Sequence, residues 1–357
     1  MKDKDGDCTS IKFGRIEIVN TSVLQQMNFV KLETSDECLI EEINQIEVFN
    51  DKIYILDDAG LYVFGLDGKY LQRLYRSGDG PGEFLSPFSF WIDKEGFIFI
   101  LDRILSRLQK YDIESLDFVE QIVMPFQSPV SFAKIPNQDL YIHYYPLRPK
   151  REIDKKQMYI ADKNGNIKKT LLDGKPSGKI LHGDRANIYL YNNKLRFYPH
   201  FSNSIYQIGT DSLYAKYELS YKQNTFPDEK IFIEYDDSNN VMKEIIQGDH
   251  NWIRLIYVYE TKENLVVKYY IKRDFYVSVL NKATGNTINF KYDQVKDDCG
   301  IGGKFPLPIC VYKERFIGQI KPFDIDKDQV TNPQMKALMD DVTEESNPIL
   351  VFYSIKI

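Results

Sequence analysis

A glycine-rich segment is the stretch of this 357-residue chain that most resembles a ligand-binding loop. It runs from Ser77 to Phe84 and reads SGDGPGEF, with three glycines and two carboxylates. Backbone N–H groups of such a loop can hold a phosphate, but the P-loop spacing G-x-x-x-x-G-K-[ST] is absent and no helix is predicted to follow. We therefore expect the glycines to let the chain turn tightly between two strands.

Six polar residues are the candidate ligand contacts. Five of them lie within or next to this segment or at the loop after a nearby strand, and the sixth replaces an apolar residue within a strand. They are Arg76, Asp79, Glu83, Asp102, Arg103 and His143. The alternative for the first five is a network of ion pairs that fixes the turns. The alternative for His143 is a histidine satisfied in the core or at the surface.

Metal ligands and catalytic residues are not assigned, because no residue pattern meets their requirements. The acidic runs Asp3–Asp7 and Asp324–Asp328 lack the full calcium-loop pattern of alternating oxygen ligands, a glycine and a late glutamate. The four cysteines form no zinc pattern, and neither HExxH nor G-x-S-x-G occurs. Cys299 and Cys310 are close enough in sequence for a loop disulfide in an oxidising compartment, the alternative being idle thiols. We expect no cofactor.

The composition favours strands and excludes some partners. Aromatic residues make up 14% of the chain, with 25 Tyr and 22 Phe, and these side chains prefer strands. The formal net charge of −6 argues against nucleic acid and anionic membrane as partners. No apolar run reaches about 18 residues, so no membrane span is predicted. The first residues, MKDKDGDCTS, are charged and polar, so we expect residues 1–10 to form a flexible leader and no signal peptide.

Two short motifs recur along the chain and indicate its architecture. Lys52–Asp57 (KIYILD) matches Phe97–Asp102 (FIFILD) 45 residues later, and Ser86–Phe90 (SPFSF) matches Ser128–Phe132 (SPVSF) 42 residues later. A period of about 40–50 residues with several short strands is typical of β-propeller blades. The aspartates that end the first pair occupy equivalent positions. We expect them to cap the following loops and not to act in catalysis.

The chain divides into six such units, which predicts an all-β fold: a six-bladed β-propeller of four-stranded antiparallel blades. The units cover roughly residues 43–76, 87–126, 129–172, 182–219, 252–292 and 308–357. Helical spacing at 228–247 and 332–343 predicts short helical insertions. Strand-like stretches at 16–19 and 29–32 predict that an N-terminal strand closes the last blade, which removes two exposed sheet edges. Residues 11–357 are thus expected to form a single propeller domain.

A family resemblance adds to this interpretation. The segment Ser77–Phe84, followed by Phe88, by Ile92-Asp93 and by the strand that ends at Asp102, resembles the NHL-like six-bladed propeller lipoproteins of Bacteroides-type gut bacteria. So does Val30–Glu37, just before the first blade. The resemblance extends over nearly the whole chain. It implies a secreted or lipid-anchored protein that faces the periplasm or the cell exterior. Cys8 follows Asp-Gly-Asp and no lipobox, so we expect any lipid anchor to lie outside this sequence.

We therefore expect an extracytoplasmic binding or scaffold module, monomeric, whose loop face holds a glycan, a peptide or an envelope protein. The alternative is a polysaccharide hydrolase or lyase with carboxylates and Tyr or His at the channel mouth, since propellers host both kinds of function. A cluster of Asp, Glu, His and Arg converging on one cavity would favour the enzyme, and a mixed surface without it would favour binding. A purely structural subunit would instead expose an apolar patch.

Overall fold

The computed structural model of the chain describes residues 8–125, 129–144, 156–173, 187–199, 201–209, 212–227 and 238–357. These residues contain twenty-five strands in six antiparallel sheets, which is the six-bladed β-propeller class predicted from the sequence. Contacts divide the chain into two compact units. The first comprises the residues up to Lys12 with Arg76–Tyr257 and Tyr269–Asp274, and the second comprises Phe13–Tyr75, Val258–Lys268 and Phe275–Ile357.

Each blade is formed mainly by consecutive strands. In chain order the strands are β1 (Thr9–Phe13), β2 (Leu24–Lys31), β3 (Gln45–Phe49), β4 (Lys52–Leu56), β5 (Leu61–Gly65), β6 (Tyr70–Leu74), β7 (Pro87–Ile92), β8 (Phe97–Asp102), β9 (Arg107–Asp112), β10 (Phe118–Val123), β11 (Ser131–Lys134), β12 (Leu140–Tyr144), β13 (Lys156–Asp162), β14 (Ile167–Asp173), β15 (Ile188–Tyr191), β16 (Lys194–Phe197), β17 (Ser204–Ile208), β18 (Leu213–Tyr221), β19 (Ile253–Glu260), β20 (Asn264–Ile271), β21 (Asp274–Asn281), β22 (Thr287–Lys291), β23 (Pro308–Tyr312), β24 (Arg315–Ile320) and β25 (Ile349–Ile355). Blade 1 is β3–β6, blade 2 is β7–β10, blade 3 is β11–β14, blade 4 is β15–β18, blade 5 is β19–β22 and blade 6 is β23–β25 with β2.

The second strand of a blade is buried on both faces, which explains its continuous apolar sequence. In β8 (FIFILD) every residue after Phe97 is buried, and four of the five residues of β4 (KIYIL) are buried as well. The outer strand β10 (FVEQIV) instead places Ile122 between two exposed neighbours. Such alternation is typical of a strand with one face in solvent. The apolar repeats in the sequence therefore identified the inner part of the blades.

Neighbouring blades of the first unit are joined by packed rings and by a buried ion pair. Phe99 of blade 2 and Tyr141 of blade 3 belong to one hydrophobic cluster, with ring centroids 5.8 Å apart. At the start of blade 3, Lys134 Nζ lies 2.7 Å from Asp93 Oδ2, and both side chains are 7% exposed. A second carboxylate, that of Glu95, lies 2.8 Å from the same ammonium group. These contacts fix the spacing between the two blades.

The predicted N-terminal strand closes blade 6, as part of the second unit. β2 pairs antiparallel with β25, from Leu24 opposite Ile355 to Lys31 opposite Ile349. Val30 and Phe352 belong to the same buried cluster. Because each strand covers the edge of the other, neither presents a row of unpaired backbone groups along this side. The predicted closure by an N-terminal strand is confirmed, and the strand begins five residues before the predicted stretch 29–32.

Two features of the N-terminal region differ from the expectation. β1 adds to β18 as a fifth strand of blade 4, and it begins at Thr9. In the stretch 16–19, predicted to form a strand, Glu17 makes an isolated parallel bridge to Phe290. β1 is five residues long and alternates exposed and buried positions, so its sequence gives little apolar signal. A short edge strand of this kind is hard to distinguish from a polar leader.

Both predicted helical insertions contain a helix. α1 (Ser238–Gln247) lies in the first insertion and α2 (Pro333–Leu338) in the second. The side chain of Asn332 caps α2 by accepting hydrogen bonds from the backbone N–H groups of Gln334 and Met335. Among the described residues, no helix has the length and apolar character needed to cross a membrane.

Candidate functional site

The glycine-rich segment forms the crossing from blade 1 to blade 2, and one arginine binds it at three points. The guanidinium group of Arg107, at the start of β9, donates to three backbone carbonyl oxygens of the crossing. Nη1 lies 2.9 Å from the oxygen of Asp79, and Nη2 lies 3.0 Å from that of Gly80 and 2.9 Å from that of Glu83. The planar fork of an arginine suits several acceptors at once. These three carbonyl oxygens are therefore occupied by the side chain of Arg107.

Further hydrogen bonds stabilise the crossing, one within it and one from β9. The Glu83 carboxylate accepts a hydrogen bond of 2.9 Å from the backbone N–H of Gly80. The Tyr111 hydroxyl donates to the carbonyl oxygen of Gly82 at 3.2 Å, and burial raises the pKa of this tyrosine. Gly82 adopts a φ of +75°, in the left-handed region that favours glycine. The glycines serve the tight turn expected from the sequence.

Replacing Gly82 with alanine should destabilise the protein by about 2 kcal/mol, because strain and overlap add at this position. An added Cβ would lie 2.8 Å from both Cβ and Cγ of Phe118. Gly285 supplies the matched control, since it has a φ of +77° and nothing within 4 Å of an added Cβ. Urea unfolding should show that Gly285→Ala lowers the free energy of unfolding by about 1 kcal/mol. Equal losses for the two variants would contradict the predicted clash.

Asp57 and Asp102 cap the loops that follow their strands, as the repeat predicted. Asp57 Oδ1 accepts from the backbone N–H groups of Ala59 and Gly60, at 2.8 and 2.9 Å. Asp102 is fully buried, and its two carboxylate oxygens accept from Leu85 at 2.7 Å and from Leu105 at 3.0 Å. Asp102 therefore also connects its own turn to the crossing.

The two arginines among the candidates lie at different edges of the same region. Arg76 Nη2 lies 3.4 Å from the carbonyl oxygen of Leu116 and 3.9 Å from Asp117 Oδ1, in a largely exposed ion pair. The Arg103 guanidinium carbon lies 4.8 Å from the ring centroid of Phe88. The structure thus gathers the first five candidates around one crossing and its neighbouring turns. Ligand contact by these residues stays a prediction.

His143 lies apart from the other five candidates, on β12 of blade 3. Its side chain is completely buried, and its ring stacks with that of Tyr141 at 6.5 Å between centroids. Among the described residues, neither ring nitrogen has a hydrogen-bond partner. Burial lowers the pKa of His143 to about 3, because the charged imidazolium would lose its hydration. The imidazole is therefore neutral at physiological pH.

A depression lined by cations, which the sequence analysis did not identify, lies where the chain enters blade 5. It has a volume of about 580 Å³, within the range of about 300–1,000 Å³ common for ligand sites. We call it the basic depression. Its lining residues come from α1, from the start of β19 and from the end of β20 with the turn that follows. They are Lys243, Ile246, Gln247, Arg254, Tyr270, Lys272 and Arg273.

One element of the basic depression is fixed by stacking. The Arg254 guanidinium carbon lies 5.1 Å from the ring centroid of Tyr270, and both side chains are half-buried. Such a contact orders the guanidinium group and the ring together. Lys243 and Arg273 are exposed at the margin. The depression therefore combines a stacked arginine and aromatic ring with two cations that are exposed to solvent.

The basic depression and the blade 2 crossing occupy equivalent places in their blades. Each lies between the connection that leads into the first strand and the turn that joins the second strand to the third. At blade 2 the protein's own Arg107 and Asp102 bind the connection. At blade 5 the equivalent place is an open cavity. The sequence signal for it was present in the turn Lys272-Arg273, where two cations occupy a position that usually favours Asn, Asp or Gly.

The remaining His, Cys and acidic side chains form no metal site in the part of the chain that the structure describes. There, no group of three or more His, Cys, Asp or Glu side chains is placed to hold a metal ion. All four cysteines are free thiols, and burial raises the pKa of Cys310 to about 12. His182 and His200 lie outside the described residues.

Comparison with known proteins identifies the fold and a family. Residues 11–354 match the family model described as "Domain of unknown function (DUF4934)". The fold is similar to the crystal structure of a "putative exported protein" from Bacteroides fragilis, with a TM-score of 0.87, 23% identity, 98% of this chain covered and 100% of that one. A virginiamycin B lyase from Staphylococcus aureus gives a TM-score of 0.43 and 12% identity, over 82% of this chain and 81% of that one. No curated protein matches the sequence significantly.

Proposed function

We propose that this chain, which belongs to the family described as domain of unknown function DUF4934, is an extracytoplasmic ligand-binding module with no catalytic activity of its own. Its ligand would bind in the basic depression of blade 5. The observation that carries the proposal is the lining of this cavity: four cations, one aromatic ring, one apolar and one amide side chain. Such a set can hold and orient a ligand.

The chemistry of these side chains favours binding over glycoside hydrolysis. Glycoside hydrolysis uses a pair of carboxylates, one of them as a proton donor. None of the seven residues that line the cavity is Asp, Glu or His. Lysine and arginine are protonated near neutral pH and serve poorly as general bases without a lowered pKa. The cavity therefore supports retention of a ligand and not its hydrolysis by a carboxylate pair.

The comparison with a relative supports the extracytoplasmic location in this proposal. The Bacteroides fragilis protein, whose fold is similar over the whole of its length, is described as a "putative exported protein". The lipoprotein resemblance of the segment Ser77–Phe84 and of Val30–Glu37 points to the same location. A binding module in the periplasm or at the cell surface would meet glycans, peptides and envelope proteins directly. A cell-fractionation experiment on the native host would test this location.

A thermal-shift screen of the purified chain against glycans and peptides tests the binding function. A ligand that binds the folded state should raise Tm with its concentration. Tyr270→Ala should lose most of this shift, whereas Tyr214→Ala, at an exposed tyrosine outside the cavity, should retain it. The bound ligand should be recovered intact after prolonged incubation. Release of cleaved products from the wild-type protein would contradict the proposal, as would an unchanged shift in Tyr270→Ala.

A further inference from the structure

We propose that the basic depression takes an acidic oligosaccharide, a short sugar chain that carries carboxylate or sulfate groups. This inference rests on the proposed binding function and specifies its ligand. Four of the seven lining side chains are cationic, and none is acidic. The whole chain has a formal net charge of −6. A local concentration of positive charge attracts anions to that place, whereas the net negative charge of the rest of the protein repels them.

The side chains of three cations of the depression are not engaged by the described residues. Lys243, Lys272 and Arg273 have no ion-pair or hydrogen-bond partner for their side chains among the described residues. The hairpin turn of blade 6 differs, because Lys313 Nζ in that turn lies 2.9 Å from Asp51 Oδ1. A turn lysine elsewhere in the protein is thus neutralised by a carboxylate. At the basic depression, an anionic ligand would supply the missing partner.

The number and spread of the cations indicate a ligand with more than one anionic group. Lys243 lies on α1, Arg254 on β19, and Lys272 with Arg273 on the turn between β20 and β21. Three separate elements therefore contribute positive charge around one cavity. A single small anion could contact one or two of these groups. A chain with charges on successive units can contact Lys243 and the turn Lys272-Arg273 at once, and these contacts would reinforce one another.

The aromatic and apolar lining favours a sugar chain over an acidic peptide. The Tyr270 ring, on which Arg254 stacks, and the side chain of Ile246 give the lining an apolar part beside the cations. The face of a sugar ring is apolar and flat, and its substituents project sideways, where carboxylate or sulfate groups meet the cations. Apolar peptide side chains are usually bound in deeper enclosed pockets, which the described lining does not form. Arginine contributes further, because its planar fork binds carboxylate and sulfate oxygens in pairs.

Isothermal titration calorimetry with three probes tests this inference. The probes are trigalacturonate, the neutral sugar maltotriose and a tetraglutamate peptide. Trigalacturonate should bind the wild-type protein, weaken at least tenfold in the double variant Lys272→Ala/Arg273→Ala, and weaken in high salt because its contacts are ionic. The matched control, Lys336→Ala/Lys356→Ala, removes two exposed lysines outside the depression and should leave the affinity unchanged. Unfolding of each variant without ligand checks that the fold is intact.

The outcomes separate the ligand class from the binding function. Equal affinity for maltotriose and trigalacturonate, with both lost in Tyr270→Ala, would overturn the acidic ligand and leave the binding function standing. Tighter binding of tetraglutamate than of trigalacturonate would overturn the sugar class. Trigalacturonate binding that is unchanged in Lys272→Ala/Arg273→Ala would overturn the site. If no probe binds and the wider thermal-shift screen finds no ligand sensitive to Tyr270, the proposed function fails as well.

Discussion

Replacing His143 with phenylalanine should make the protein more resistant to acid, and the gain at low pH is one of the two largest stability changes that we expect from one substitution. The buried imidazole has no hydrogen-bond partner among the described residues, so an apolar ring of similar shape loses no such contact there. Removing a polar group that is buried without a partner is often neutral or stabilising. The gain in stability should depend on pH, because the buried imidazole of the wild type cannot take up a proton in the folded state.

The direction of the pH dependence follows from the pKa values of this side chain in the folded and unfolded states. The folded-state pKa is about 3, against 6.5 for an ordinary histidine. Between these values the unfolded chain binds a proton that the folded protein does not, so wild-type stability falls as the pH drops from 6.5 towards about 3. At about 1.4 kcal/mol per pH unit, this side chain accounts for a loss of up to about 5 kcal/mol. The variant lacks this group and should not suffer that loss.

Urea unfolding at several pH values measures the effect. His143→Phe should lie within about 1 kcal/mol of the wild type at about pH 8 and exceed it by about 3 kcal/mol at about pH 4. His143→Leu checks that the larger phenylalanine ring is not itself a problem of packing. His250→Gln, at an exposed histidine, should leave the pH profile unchanged. Parallel pH profiles for the wild type and both His143 variants would show that the buried imidazole does not limit acid stability.

Replacing Arg107 with alanine should destabilise the protein by about 3 kcal/mol and open the blade 2 crossing to proteases. The guanidinium group donates to three backbone carbonyl oxygens of the crossing and also to Gln121 Oε1 at 3.3 Å. Hydrogen bonds from a charged donor contribute about 1.5–3 kcal/mol each, and water can replace part of this at a half-exposed site. Lysine cannot reproduce the fork, so Arg107→Lys should recover less than half of the loss.

Arg103→Ala is the matched control for this prediction. Arg103 lies on the neighbouring turn, and its guanidinium group stacks on the ring of Phe88. Loss of such a contact should cost about 1 kcal/mol. Thermal unfolding and limited proteolysis of both variants, with mapping of the cleavage sites, measure the difference. A loss for Arg107→Ala no larger than that for Arg103→Ala would contradict the assignment of Arg107 as the residue that holds the crossing.

Much of the fold was predictable because inner blade strands carry a strong apolar signal at a regular interval. The match between the strands that end at Asp57 and Asp102 located two blades, and the capping role of both carboxylates followed from their repetition. β1 was missed because two buried residues in five resemble a polar leader. Local sequence patterns do not reveal which distant strand will accept a short edge strand.

The candidate site was less predictable, because it depends on which residues from distant parts of the chain lie close together in the fold. The glycine-rich crossing drew attention through its residue types, yet its polar groups are bound by Arg107, which lies 24 residues after Glu83 in the chain. The basic depression combines Lys243 and Arg273 from separate elements, and the unusual turn Lys272-Arg273 does not by itself indicate which residues lie opposite it. A net charge of −6 also conceals a local group of four cations. Only the three-dimensional arrangement identifies such a site.

Hydrogen–deuterium exchange with and without trigalacturonate tests most directly whether the ligand binds in the basic depression of blade 5. Binding there should slow exchange in peptides that cover α1 with the start of β19, and in those that cover Tyr270 to Arg273. Peptides that cover Ser77–Phe84 should exchange at the same rate in both states. Slowed exchange confined to Ser77–Phe84, or binding without any change around the basic depression, would contradict the account and direct attention back to the blade 2 crossing.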